Sequence, residues 1–130
     1  MISEKEITFI VQGQISNLTQ KTTQSIRLHF PQSKIIISTW NNSKLEGLEY
    51  DFVILSEDPG GIASKVSGGI SNTLRQIVST LEGLKKCTTE YAVKIRSDMV
   101  FYGNNLTSYY EKFKNFKRNS KIFSSRVLIL

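Results

Sequence analysis

The sequence predicts an α/β fold, with a mostly parallel sheet and flanking helices. Three observations predict it. Near-continuous apolar runs at Ile7–Val11 and Ile35–Ile37 read as strands buried on both faces, as strands of a parallel sheet are, and Phe52–Leu55 reads as a further strand. Segments of helical periodicity lie between such runs, and strand alternating with helix is the pattern of parallel sheets. Polar clusters follow the runs directly, where an open parallel sheet receives its ligands.

The elements follow in order. Ile7-Thr-Phe-Ile-Val11 is the first strand, followed by Gln12-Gly13-Gln14. Leu18, Thr22, Ile26 and Phe30 fall at helical spacing and predict a helix from about Thr19 to Phe30, stopped by Pro31. Ile35-Ile-Ile37 runs on into Ser38-Thr39-Trp40 as a second strand, and Asn41-Asn42-Ser43 is turn chemistry. Phe52-Val-Ile-Leu55 is a third strand, with Glu57-Asp58-Pro59-Gly60 close behind. From Gly60 to Ser71 runs a Gly/Ser-rich loop, long enough to suggest a functional or mobile segment.

The next helix starts at Asn72 or Thr73, with Gln76 placed to complete a capping box, and carries Leu74, Ile77, Val78, Leu81 and Leu84 as an apolar stripe. Tyr91 to Arg96 is a fourth strand. A last helix is expected from about Asn105 to Phe116, with Leu106, Tyr109, Tyr110, Phe113 and Phe116 inward, and Ile122-Phe123 and Val127–Leu130 close the chain. Because it stops inside an apolar run, residues 1–130 are expected to form a single N-terminal region of a longer protein, a final docked strand being the alternative.

Composition bounds the function. The chain has 130 residues, enough for one ordinary domain. No apolar run approaches the roughly 20 residues that span a bilayer, and the polar residues after Met1 are not those of a signal peptide. A cytoplasmic location is expected. One cysteine, Cys87, forms no internal disulfide, and one histidine, His29, leaves no histidine-based triad or histidine/cysteine zinc site. The net charge of +6 suits nucleic acid, an anionic membrane or a phosphorylated ligand. Nucleic acid has only that charge in its favour, since no recognition motif is present. Cations gather at Lys112, Lys114, Lys117, Arg118 and Lys121, and most read as solvated helix faces and ends.

If the strands are parallel, four clusters converge on one edge: Gln12-Gly13-Gln14, Trp40-Asn41-Asn42, Glu57-Asp58-Pro59-Gly60 and Arg96-Ser97-Asp98. Asp98 is the sharpest candidate, as a diphosphate-side ligand for a divalent cation or as a cap. Lys94, Arg96 and Asp98 share a face opposite Tyr91, Val93 and Ile95. Buried cations need partners. For Lys94 an internal salt bridge is expected; for Arg96 the candidates are Asp58, Glu57 or a phosphate. Arg75 stands in the first turn of its helix against the dipole, which a phosphate, a base edge or a nearby carboxylate would account for, a plain surface arginine being the alternative.

These blocks resemble the WavE-type lipopolysaccharide-synthesis family. The resemblance is carried by Gln12-Gly13, Ile36-Ile-Ser-Thr-Trp40, Glu57-Asp58-Pro59-Gly60, Arg75-Gln76-Ile-Val-Ser-Thr80, Gly83-Leu84-Lys85, Tyr91 and Lys94-Ile-Arg-Ser-Asp98, in that order, from about Ile7 to Gly103. It implies a glycosyltransferase with a Rossmann-like GT-A nucleotide-binding sheet, a nucleotide-sugar donor, a glycan or glycolipid acceptor, and a site at the cytoplasmic face of the inner membrane, in contact with anionic lipid. Gln12 and Gly13 would lie by the nucleotide, and Asp58 and Arg75 near base, ribose or phosphate. Such enzymes often hold Mn²⁺ or Mg²⁺ with a DxD motif. Here the motif reads Arg96-Ser97-Asp98, so only Asp98 carries over as metal or diphosphate contact. The competing expectation is a non-catalytic α/β interaction or regulatory domain, in which Asp98 only caps a helix or pairs with Arg96.

Overall fold

The computed structural model describes residues 1–115. After a 3₁₀ turn at Glu4–Glu6, the chain runs β1 (Ile7–Gln12), α1 (Thr19–His29), β2 (Lys34–Trp40), β3 (Phe52–Ser56), β4 (Ile62–Ala63), β5 (Ile70–Ser71), α2 (Thr73–Lys86), β6 (Tyr91–Arg96) and α3 (Leu106–Phe113). β3, β2, β1 and β6 form a four-stranded sheet in that order, parallel throughout. This is the predicted α/β class, and it is Rossmann-like.

The apolar runs behave as a parallel sheet requires. Every residue of β1 is buried, and every residue of β2 after Lys34. On one face Phe9, Val11, Ile35, Ile37 and Ile95 meet Ile26 and Phe30 at the end of α1. Phe9, Phe30 and Phe101 form a ring cluster with centroids 4.9–5.6 Å apart. α3 joins the same face through Leu106, and its Tyr110 meets Tyr91 edge-on. Tyr109, expected inward, is half exposed. Phe116, Lys117, Arg118, Lys121, Ile122-Phe123 and Val127–Leu130 lie outside the described residues.

The opposite face carries α2, which lies across β1, β2 and β3. Here periodicity misleads. Leu74, Ile77, Leu81 and Leu84 of the predicted stripe are 37–55 % exposed, while Ser79 and Gly83 are buried against the sheet. A Cβ on Gly83 would come within 2.4 Å of Ile10 Cγ2, so the helix seats on its smallest residues because the sheet leaves no room for larger ones. Among the described residues nothing covers β6 on this side. Lys94 is therefore exposed and has no ion pair among the described residues, in place of the expected internal salt bridge.

Two local expectations also change. The Gly/Ser-rich loop holds a small antiparallel hairpin, β4–β5. No side chain caps α2: Asn72 Oδ1 accepts from Arg75 Nη1 at 2.8 Å instead, and the capping box with Gln76 does not form.

Candidate functional site

Register brings the strand ends together. Gln12 lies opposite Ser38 on one side and Arg96 on the other, and Trp40 lies opposite Ser56. The residues that follow each strand thus leave one edge of the sheet, where a cleft of about 950 Å³ opens. Gln12, Gly13, Asp58, Arg75, Arg96 and Asp98 all line it, with Trp40, Asn41, Asn42 and Gln76. Glu57, Pro59 and Gly60 do not, although the sequence groups them with Asp58. Sequence reasoning missed Ser16 and Lys44 as wall residues; being single polar residues in loops, they carry no motif.

The floor of the cleft is held by the backbone after β1 and β6. Gly13, at φ +111°, turns the chain out of β1 and donates its N–H to Ser38 O at 3.1 Å. Ser97 N donates to Gln12 O at 3.0 Å, Ser97 Oγ to Gln14 O at 2.5 Å, and Thr22 Oγ1 to Ser97 O at 3.0 Å. The Arg96-Ser97-Asp98 segment is thereby fastened to the β1 exit and to α1. The Gln12 side chain is buried, and its Oε1 accepts from Ser79 Oγ at 2.6 Å. That bond anchors α2 over the sheet.

Two carboxylates line the cleft, and each meets a guanidinium through two hydrogen bonds. Asp58 Oδ1 accepts from Arg75 Nε at 2.7 Å and Oδ2 from Arg75 Nη2 at 2.8 Å, while Gly60 N also donates to Oδ1 at 2.9 Å. The nearby carboxylate that Arg75 called for is thus Asp58. The bonds from Arg75, then the Gly60 amide, hold the Asp58 carboxyl below the usual carboxylate range, and the same pairing raises Arg75. Asp98 takes Arg96 Nε on Oδ1 at 3.0 Å and Arg96 Nη2 on Oδ2 at 2.7 Å. Arg96 therefore pairs neither with Asp58 nor with Glu57. Strand alternation puts the two residues on one side, and the turn after β6 brings them together. Both pairs reach solvent at the cleft wall.

A divalent cation needs several free oxygen ligands. Asp98, the residue the resemblance offers it, already gives both oxygens to Arg96, and Asp58 gives both to Arg75. Among the described residues no group of three or more His, Cys, Asp and Glu comes together to hold a metal. The donor set does not fit that ion. It does fit an anionic, hydrogen-bonding ligand: amides and hydroxyls on the walls, with Lys44, Arg75 and Arg96 supplying positive charge.

Fold and cleft define a Rossmann-like α/β protein with a polar cleft at the carboxyl edge of its sheet. The chain belongs to the WavE lipopolysaccharide synthesis family, whose model matches residues 7–130. Its family thereby assigns it to lipopolysaccharide synthesis. No curated protein and no solved structure matches it significantly. No helix among the described residues is long and apolar enough to cross a membrane.

Proposed function

We propose that this chain is the donor-binding part of a glycosyltransferase, with a GT-A-like sheet, that moves a sugar from a nucleotide-sugar onto a glycan or glycolipid acceptor in lipopolysaccharide synthesis. One observation carries the reading: in a chain of this family, residues from the clusters following all four parallel strands line one cleft of about 950 Å³. That volume accommodates a nucleotide and a sugar.

In the reaction the hydroxyl oxygen of the acceptor bonds to the anomeric carbon of the donor and gives up its proton to solvent, and the bond from that carbon to the phosphate oxygen breaks. The electron pair leaves with the nucleoside diphosphate. The charge that grows on it is what the site must stabilise. Arg96 and Lys44 are the cations suited to that task, because Arg75 is committed to Asp58 and Asn72. Asn41 and Asn42 offer amides to a base or ribose, beside the mostly buried Trp40. The surface cations suit an anionic membrane that presents a lipid-linked acceptor, and the cytoplasmic face of the inner membrane is the location that goes with this reading.

Calorimetry of the protein against UDP-, GDP-, CMP- and dTDP-sugars tests it. Saturable binding of one donor is expected, quenching the fluorescence of Trp40, the sole tryptophan. If none of the four binds, the reading fails. The second reading, an interaction domain, draws on the exposed Leu74, Ile77, Leu81 and Leu84 of α2. It gains if Ser or Asp at Leu81 abolishes function while donor binding is untouched.

A further inference from the structure

We propose that the cleft holds the diphosphate of its ligand with guanidinium and ammonium groups and needs no divalent cation, Arg96 doing the work of an ion. This rests on the nucleotide-sugar reading above and concerns how that ligand is held.

The disagreement between motif and geometry is the starting point. Where a metal-binding pair of acids would place its first carboxylate, this chain has Arg96. The guanidinium does more than replace a ligand. It lies against both oxygens of Asp98, at 3.0 and 2.7 Å, so a cation approaching that carboxylate would meet a like charge already seated there. Asp58, the other acid of the cleft, is closed in the same way by Arg75, with the Gly60 amide as a third donor. Arginine stays charged at every working pH, so neither carboxylate is released by titration of its partner.

The same arrangement equips Arg96 to hold phosphate. Asp98 uses Nε and Nη2, and among the described residues Nη1 donates to nothing. The Arg96 side chain is 62 % exposed and lines the cleft, so its remaining donors are open to a ligand. The bond to Asp98 steadies the planar fork, which matches the geometry of phosphate oxygens. Lys44 lines the same cleft and has no ion pair among the described residues. With each aspartate matched to an arginine, Lys44 leaves the walls with a net positive charge for a diphosphate to neutralise.

The test is a titration of the protein with the nucleoside diphosphate of whichever of the UDP-, GDP- and dTDP-sugars binds, in excess EDTA and again in Mn²⁺, together with a titration of Mn²⁺ alone; binding of the CMP-sugar alone, which carries one phosphate, overturns this proposal. The affinities in EDTA and Mn²⁺ should agree within about twofold, and Mn²⁺ alone should show no saturable binding. Arg96→Ala should weaken the nucleotide by about tenfold or more, the loss of a charge-assisted hydrogen bond. Asp98→Asn should weaken it far less, since the guanidinium is then released to the ligand. Arg96→Asp restores a pair of acids two residues apart and should make binding depend on Mn²⁺. Wild-type binding that appears or tightens tenfold only with Mn²⁺ overturns this proposal and leaves the glycosyltransferase reading standing. Equal affinity in wild type and Arg96→Ala, with circular dichroism showing both folded, also overturns it. Absence of nucleotide binding in either medium removes the donor reading and this proposal with it.

Discussion

The two faces of the sheet are held by different physics. On the α1 side, Phe9, Val11, Ile35 and Ile37 pack against Ile26, Phe30 and Phe101, and cohesion is apolar burial. On the α2 side the helix buries Ser79 and Gly83, shows its leucines to solvent, and is tied down by Ser79 to Gln12 and by Arg75 to Asp58. Three of these four tying residues, Gln12, Asp58 and Arg75, line the cleft. Apolar packing sets where the strands end. Polar ties on the other side then fix the side chains that a ligand would meet.

The largest effect that probes this contrast pairs one substitution from each face. Phe9 is fully buried and touches two rings, so Phe9→Ala should cost about 3–5 kcal/mol through lost burial and a cavity. Leu81 is half exposed on α2, so Leu81→Ala should cost under about 1 kcal/mol despite its place in the helical stripe. Urea denaturation measures both. Equal costs would mean that the stripe is covered in solution and that the faces are more alike than the structure shows.

A smaller effect is expected at the seat of α2. Gly83→Ala improves helix propensity by about 1 kcal/mol, but its Cβ would lie 2.4 Å from Ile10 Cγ2 and 3.3 Å from Ser38 Cβ. Neither neighbour is the free end of a long side chain, so the helix must lift. A net loss of about 1–2 kcal/mol is expected, with weakened donor binding because Arg75 and Gln76 move with the helix. A stabilised Gly83→Ala protein would show that α2 rides higher than described.

These two residues mark where the sequence stopped being legible. β1 and β2 were readable because strands buried on both faces must be apolar at every position, and the cleft was readable because parallel strands send their exits to one edge. The orientation of α2 was not. Its periodicity names a stripe, but which face a helix buries depends on the relief of the sheet, and Ile10 and Gln12 lie outside the helix. The hairpin β4–β5 has two-residue strands, too short for any period. Lys94 was given a salt bridge on the assumption that both faces of β6 are covered. Arg96 and Asp98 are both legible as site residues, and their pairing as the mark of the interaction-domain alternative, but whether it forms depends on the turn that follows β6.

Acid should separate the two faces most subtly. The bonds from Arg75, then the Gly60 amide, put the folded pKa of Asp58 below its unfolded value. A group lowered in this way stabilises the fold fully above its unfolded pKa, about 4 for aspartate, and loses that contribution as pH falls through the folded value. The Arg75–Asp58 tie is therefore intact at neutral pH and fades below about pH 4. Asp58→Asn should lower Tm slightly at pH 7, and the gap from wild type should close on acidification. Glu111, lowered by the Ile2 amide, adds its own acid loss to both proteins and cancels in the difference. The gap produced by Phe9→Ala should persist at every pH, because no titrating group forms that core. A pH-independent gap for Asp58→Asn would assign the tie to hydrogen-bond geometry rather than charge, and the α2 face would then differ from the α1 face in polarity alone.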